Sequence, residues 1–270
     1  MKNKIKFGCQ TYAWYMSYEK YKDDFSSVID VIGNAGYEGV ETSTYFLDNK
    51  NEAKVKKSLK DSGIQLAAYG LGLDWLNDSE TDKEYKIAQK TIELVKNFPG
   101  TLLMLSHDPK GNRNGNLKEK QRRQIGIVNA VARRAKEAGL QCAYHANSAD
   151  NALFRTEEDY YHLVELLDTS VIGLAPDIGH MANGNCNIIK MLIEFAPIIR
   201  HVHYKDMNAD HSWAPMGCGI IDYKQVTDLL YDMGYDGWVM VEDESLESEK
   251  NADRIAYYNE VYIEHKLRRF

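Results

Sequence analysis

Short apolar runs alternate with longer amphipathic ones along the whole chain, and this alternation restricts the fold more than any other feature. Eight runs read as strands: Ile5–Cys9, Gly39–Glu41, Gln65–Tyr69, Thr101–Ser106, Gln141–His145, Ile172–Ala175, Arg200–Tyr204 and Trp238–Glu242. Between them apolar residues recur at helical spacing. Phe25, Val28, Ile29 and Ile32 fall at i, i+3, i+4 and i+7, and Ile125, Val128, Ala132 and Ala135 repeat the pattern. Leu163, Val164 and Leu167 mark a further face after Thr156-Glu157-Glu158-Asp159, as Val226, Leu229 and Leu230 do after Asp222. Four helix-to-strand junctions share one form: Ala35-Gly36-Tyr37, Ser62-Gly63-Ile64, Ala138-Gly139-Leu140 and Met233-Gly234-Tyr235. A glycine there adopts the left-handed conformation that stops a helix and turns the chain back to the sheet.

Eight βα units in 270 residues match the size of a TIM barrel. A doubly wound open sheet is the alternative, but no G-x-G-x-x-G follows the first strand, and eight strands close naturally. The expected fold is therefore α/β, a TIM (β/α)8 barrel, as a single domain over residues 1–270. No linker or charge block divides the chain. Its loosest stretch, Gly111-Asn112-Arg113-Asn114-Gly115-Asn116, follows the fourth strand and reads as a loop over the rim.

Composition excludes several classes of function. A formal charge of −7 argues against a nucleic-acid partner, which wants a basic surface. The four cysteines are widely spaced with no C-x-x-C, so neither a zinc knuckle nor a disulfide framework is indicated. Reduced thiols suit a cytoplasmic protein. No apolar run reaches the length of a membrane span, and Met1 to Phe7 lead into a strand with no secretory h-region. A soluble cytoplasmic protein without a membrane partner is expected. Barrels of this size commonly pair, so a homo-oligomer is compatible with the sequence.

Three strand ends in the second half each close on a side chain able to bind a metal: Asp177 in Ala175-Pro176-Asp177, His203 in His201-Val202-His203, and Glu242 in Met240-Val241-Glu242. The C-terminal ends of barrel strands form the active-site face. Carboxylate and imidazole together suit a divalent ion such as Mn, Co or Zn. His201 shares a strand face with His203 by period two and is expected one layer deeper, in core packing. His180 lies three residues beyond Asp177, in a loop over the site, where it could give a proton to a substrate oxygen. Lys205 reads as a grip on a substrate oxygen, or Lys205 and Asp206 are simply solvated. Other strand ends supply candidate pocket walls: Trp14 with Gln10 and Tyr12, Glu41, Tyr69 and Trp75, and His107 with Asp108. His211 lies in the loop after the seventh strand.

These motifs resemble the xylose isomerase-like TIM-barrel superfamily, also called sugar phosphate isomerases/epimerases. Asp177-Ile178-Gly179-His180 resembles its D-x-G-H, and His201-Val202-His203-Tyr204-Lys205-Asp206 its H-V-H-x-K-D. Residues 215–223 resemble P-L-G-x-G-x-I-D-[FY], and residues 234–242 resemble G-Y-x-G-W-x-x-x-E. The resemblance implies one divalent ion, Mn first with Co, Mg or Zn as alternatives, held by residues of strands five to eight. Asp177, His203 and Glu242 match the last three positions. Strand five departs, because the family's sugar epimerases end it with Glu, whereas here it ends at Tyr144-His145. That text is closer to the inosose dehydratase-like branch. His145 is then either the fourth ligand or a general base beside the metal.

The implied activity is a metal-dependent isomerase or epimerase of a ketose, keto-sugar or keto-inositol. It would work by proton abstraction next to a polarised carbonyl, with His145 or Glu242 as base. A dehydratase/lyase uses the same first step and needs only one base. A non-catalytic sugar-binding barrel and an endonuclease IV-like phosphodiesterase are the remaining alternatives. The acidic chain and a ligand set sufficient for one ion speak against the nuclease.

Overall fold

The structure is a computed structural model that describes residues 5–107 and 112–269. Its eight parallel strands are β1 Lys6–Gln10, β2 Gly39–Ser43, β3 Gln65–Leu73, β4 Leu102–His107, β5 Gln141–His145, β6 Ile172–Leu174, β7 Val202–Tyr204 and β8 Trp238–Val241. Contacts group them into two compact units, one formed by residues up to 67 and from 201 onward, the other by residues 68–200.

In the first unit the strands pair in the order β2-β1-β8-β7. Gln65, at the start of β3, also belongs here, and its amide donates to the Glu38 carbonyl at 3.1 Å. In the second unit the order is β3-β4-β5-β6. Ile199 bridges to Leu174 and the Arg200 amide donates to the Leu174 carbonyl, 3.0 Å, just before the chain enters β7. Apolar side chains fill the interior of each ladder. Ala68, Leu102, Met104, Ala143 and Ala175 make one such cluster in the second unit.

Local sequence explains the helices. Phe25–Ala35, Leu117–Glu137, Glu157–Leu166 and Tyr223–Asp232 carry the four apolar faces expected, capped by Asp24, Asn116, Thr156 and Asp222. Thr156 and Asp159 exchange bonds in a capping box, which satisfies amides that a helix start leaves unpaired. Gly36, Gly63, Gly139 and Gly234 all have positive φ, from 68° to 111°, as the recurring junction requires.

Two expectations need correction, and one element is new. β7 begins at Val202 rather than Arg200, so His201 stands just before the strand, although its ring still falls on the His203 side and meets the same Glu41 oxygen. His180 is on a six-residue helix, Ile178–Asn183, rather than in a loop, because Asp177 caps that helix by accepting the His180 amide at 2.8 Å. A short antiparallel hairpin, Asp206–Met207 with Trp213–Ala214, follows β7, and its two-residue strands are too short for periodicity to reveal. Asp108 and Gly111 lie outside the described residues.

The helix that carries His180 ends where a close backbone approach demands glycine. A Cβ on Gly184 would stand 2.0 Å from the Arg155 carbonyl oxygen. Gly184→Ala should lower unfolding free energy by about 1–3 kcal/mol in a urea titration, the usual range for overpacking.

Candidate active site

In the first unit, β2 carries Glu41 and β7 carries His203, both fully buried. Glu242 stands one residue past β8, where its amide donates to the Tyr204 carbonyl at 2.9 Å and so keeps the strand's alignment. The Glu41 carboxylate receives two imidazoles on one oxygen: His201 Nε2 at 2.8 Å and His203 Nε2 at 3.0 Å. With Nε2 held there, His203 Nδ1 meets Glu242 Oε2 at 2.9 Å. Glu41, His201 and His203 are all buried, with potential ligand atoms within 4.8 Å of one another. Glu41 Oε1 is buried as well and has no hydrogen-bond partner among the described residues.

Burial alone would raise the Glu41 pKa, but the charge on His203 and the bonds from both imidazoles outweigh it and hold Glu41 at about 2. Burial likewise opposes charge on His203. The Glu41 carboxylate and the bonds to Glu242 and Glu41 override it and raise the ring to about 10. Two carboxylate partners, one at each ring nitrogen, favour the charged form of His203.

Lys205 is buried rather than solvated, 1% exposed, with Nζ 2.7 Å from Glu244 Oε1 and 3.3 Å from Glu242 Oε1. Its ammonium also lies 4.8 Å from the centre of the Trp213 ring. Burial raises the Glu244 pKa, and the neighbouring Lys205 works against that rise. Asp206 is not solvated either. Its carboxylate accepts the amides of Met207, Gly217, Gly219 and Ile221, at 2.8–3.4 Å, and thereby folds the 215–223 segment against the hairpin.

The second unit holds His145 at the end of β5 and Asp177 just after β6. His145 Nε2 is 3.5 Å from Asp177 Oδ2, outside good hydrogen-bond geometry. Asp177 Oδ1 is engaged as the helix cap, which turns Oδ2 toward the two histidines. His180 Nε2 is 3.9 Å from the same oxygen, and its Nδ1 meets Ser148 Oγ at 2.8 Å. His107, at the end of β4, pairs Nδ1 with the Tyr144 hydroxyl at 2.9 Å, and the two rings lie almost parallel.

The structure thus gathers Glu41, His203, Lys205 and Glu242 in one unit, and His145, Asp177 and His180 in the other. Trp14 is buried, and its indole donates to Asp253 Oδ1 at 2.7 Å, so its polar edge serves packing. His211 is exposed at the hairpin turn with φ of 68°. His201 is more than a core residue, since it holds Glu41. Glu244, Trp213 and Ser148 join the two constellations without any sequence expectation. Only Glu244, two residues beyond a strand-end acid, carried a local signal.

A family model described as "Xylose isomerase-like TIM barrel" matches residues 29–260. An inosose dehydratase of Clostridium beijerinckii is 23% identical over 274 residues, covering 91% of this chain and 90% of that protein. Two solved structures share the fold over nearly the whole chain. The IOLI protein with a binding zinc atom has a TM-score of 0.79 at 17% identity, covering 98% of this chain and 100% of that one. The D-psicose 3-epimerase of Clostridium cellulolyticum H10, solved with D-tagatose, has a TM-score of 0.76 at 17% identity, with the same coverage. The chain belongs to the xylose isomerase-like TIM-barrel family, and the barrel is its fold. It is an enzyme of that family. Among the described residues no helix is long and apolar enough to cross a membrane.

The charge pairs make a pH prediction for the protein kept in a chelator. Glu41 has a lowered pKa, so its contribution is full above its ordinary 4.5 and is lost as pH falls through about 2. His203 has a raised pKa, so its contribution is full below its ordinary 6.5 and is lost as pH rises through about 10. Thermal stability contributed by this pair should be greatest between those two ordinary values. Glu41→Gln should flatten the profile on both sides, as followed by circular dichroism melts.

Proposed function

We propose that the chain is a divalent-metal-dependent enzyme that removes the proton next to the carbonyl of a keto-sugar or keto-inositol and expels a β-hydroxyl as water. The observation that carries this reading is the buried imidazole of His145, in place of a carboxylate, at the end of β5. In the family's barrel, strands five to eight follow one another around the rim, so Asp177, His203 and Glu242 are assigned to one ion. The donor set fits: nitrogen and carboxylate oxygen suit Mn first, with Co, Mg or Zn as alternatives. When bound, such an ion supplies a Lewis acid that polarises the substrate carbonyl.

The remaining work falls to side chains. Glu242 is assigned to the ion and its Oε1 lies 3.3 Å from the Lys205 ammonium, which together make it a poor proton acceptor. His145 is therefore the base. His180, oriented by Ser148 through Nδ1, gives a proton from Nε2 to the departing hydroxyl. Lys205 holds a substrate oxygen, its position fixed by Glu242 and Glu244. The C–H electrons pass into the carbonyl-conjugated double bond, the β C–O bond breaks, and water leaves. The dehydratase relative of Clostridium beijerinckii supports this outcome. Epimerisation shares the first step and is the second reading, supported by the likeness to the D-psicose 3-epimerase. The cytoplasm and a single domain over residues 1–270 belong to the same reading.

Two measurements test it. Ketoses, 3-keto-glycosides and keto-inositols incubated with Mn in deuterated water should include at least one that takes up solvent deuterium, and loss of water should appear as ultraviolet absorbance of the enone. No uptake by any of them would contradict the proposal. His145→Ala should lower turnover by about 10²–10⁴-fold while bound metal stays near the wild-type level. Metal lost in proportion to activity would make His145 a fourth ligand instead of the base.

A further inference from the structure

We propose that Asn183 and Ser148 are positioning residues that fix the ring proton of His180 on Nε2, so that this imidazole meets the substrate as a hydrogen-bond donor. That role belongs to the dehydratase reading above, on which this proposal rests. All three residues belong to the second unit. Ser148 stands three residues past His145 in the segment that follows β5, and Asn183 is the last residue of the helix that carries His180. Ser148 Oγ is 2.8 Å from His180 Nδ1, and Asn183 Nδ2 donates to the same oxygen at 2.8 Å. Ser148 is 2% exposed and His180 4%, so bulk water is not there to replace either partner.

Two separate observations give the same polarity. The first is the hydrogen bonding of Ser148. Its hydroxyl has a single proton, and its oxygen already accepts the Asn183 amide. Among the described residues, the acceptor left for that proton is His180 Nδ1. Were Nδ1 protonated, two donors would point at Ser148 and the hydroxyl's own proton would be buried without an acceptor. Nδ1 is therefore the acceptor, and the ring proton belongs to Nε2. The second is the carboxylate at the other edge of the ring. His180 Nε2 lies 3.9 Å from Asp177 Oδ2. An N–H there turns its positive end to the oxygen, whereas a bare nitrogen would set a lone pair against negative charge. The relay also ties the segment after β5 to the helix after β6, and the His145 and His180 rings meet edge to face at 5.6 Å. The base and the donor are thus held side by side, with the donor's tautomer set from behind.

The test reads the tautomer directly. Long-range proton–nitrogen correlation spectra of the Mg-loaded protein, labelled with nitrogen-15 histidine and held at mildly alkaline pH, separate a protonated ring nitrogen from a bare one. Among the 8 histidines, His180 is identified by the signals that His180→Gln removes. Wild type should carry the proton on Nε2. Asn183→Asp replaces the amide donor with an acceptor for the Ser148 hydroxyl, so the proton should move to Nδ1. Ser148→Ala should leave a mixture, and Ser148→Thr, which keeps the hydroxyl, should restore Nε2–H. With a keto-sugar that exchanges deuterium, Asn183→Asp and Ser148→Ala should lower the ratio of water loss to deuterium uptake about ten- to hundredfold, through kcat rather than KM. Ser148→Thr should recover most of it. A wild-type proton on Nδ1 or on both nitrogens, an Asn183→Asp spectrum that keeps Nε2–H, or a ratio that neither variant moves would each overturn the assignment. The spectra need no substrate, which separates this proposal from the one it rests on. If no keto-sugar exchanges deuterium but the tautomer follows Asn183, the dehydratase reading fails and the relay stands. If water is lost while the wild-type proton sits on Nδ1, the relay fails and the dehydratase reading stands.

Discussion

A single carboxylate oxygen, Glu41 Oε2, holds two buried imidazoles, and the geometry of the first unit's site depends on that shared acceptor. A buried charge is tolerated only when it is paired and hydrogen-bonded. Glu41 meets that condition through His201 and His203, and His203 meets it through Glu41 and Glu242. By taking Nε2, Glu41 fixes which ring nitrogen His203 presents to Glu242, the same arrangement by which an outer carboxylate orients a metal-binding histidine. Lys205 extends the chain of alternating charge to Glu244. Removing any one member would take one of two partners from a buried neighbour.

The second unit uses a different device. Asp177 divides its two oxygens between local structure and chemistry: Oδ1 caps the helix that begins at Ile178, and Oδ2 faces His145 and His180. The cap stabilises the helix start and fixes the carboxylate's direction together. The same helix carries His180 to Ser148. Backbone capping therefore orients a functional group here, where the first unit relies on charge pairing.

Much of this was legible in the sequence where the cause is local. The strand-end positions of Asp177, His203 and Glu242, the Thr156 capping box and the four left-handed glycines each follow from a few adjacent residues. The contact between Glu41 and His201 joins positions 160 residues apart, and no local pattern announces it. Period-two alternation assigned His201 to a deeper core layer because it assumed the strand began at Arg200. The chain is not yet in β7 at that point, yet the imidazole is buried on the His203 side as expected, and what alternation could not supply is its partner, Glu41. The helix bearing His180 was hidden by its length and its internal glycine, which lower intrinsic propensity. Trp14 reads as a rim aromatic from its place after β1, yet its bond to Asp253 draws it into the core, because a buried indole N–H seeks a partner.

The central claim is that carboxylates and imidazole from neighbouring strand ends hold one cation. The most direct measurement is pulsed electron paramagnetic resonance of the purified protein titrated with Mn at neutral pH. The account predicts saturation at about one equivalent, with nitrogen-14 modulation from a bound imidazole that disappears in His203→Ala. Saturation below about half an equivalent, or a bound ion with no imidazole modulation, would contradict it.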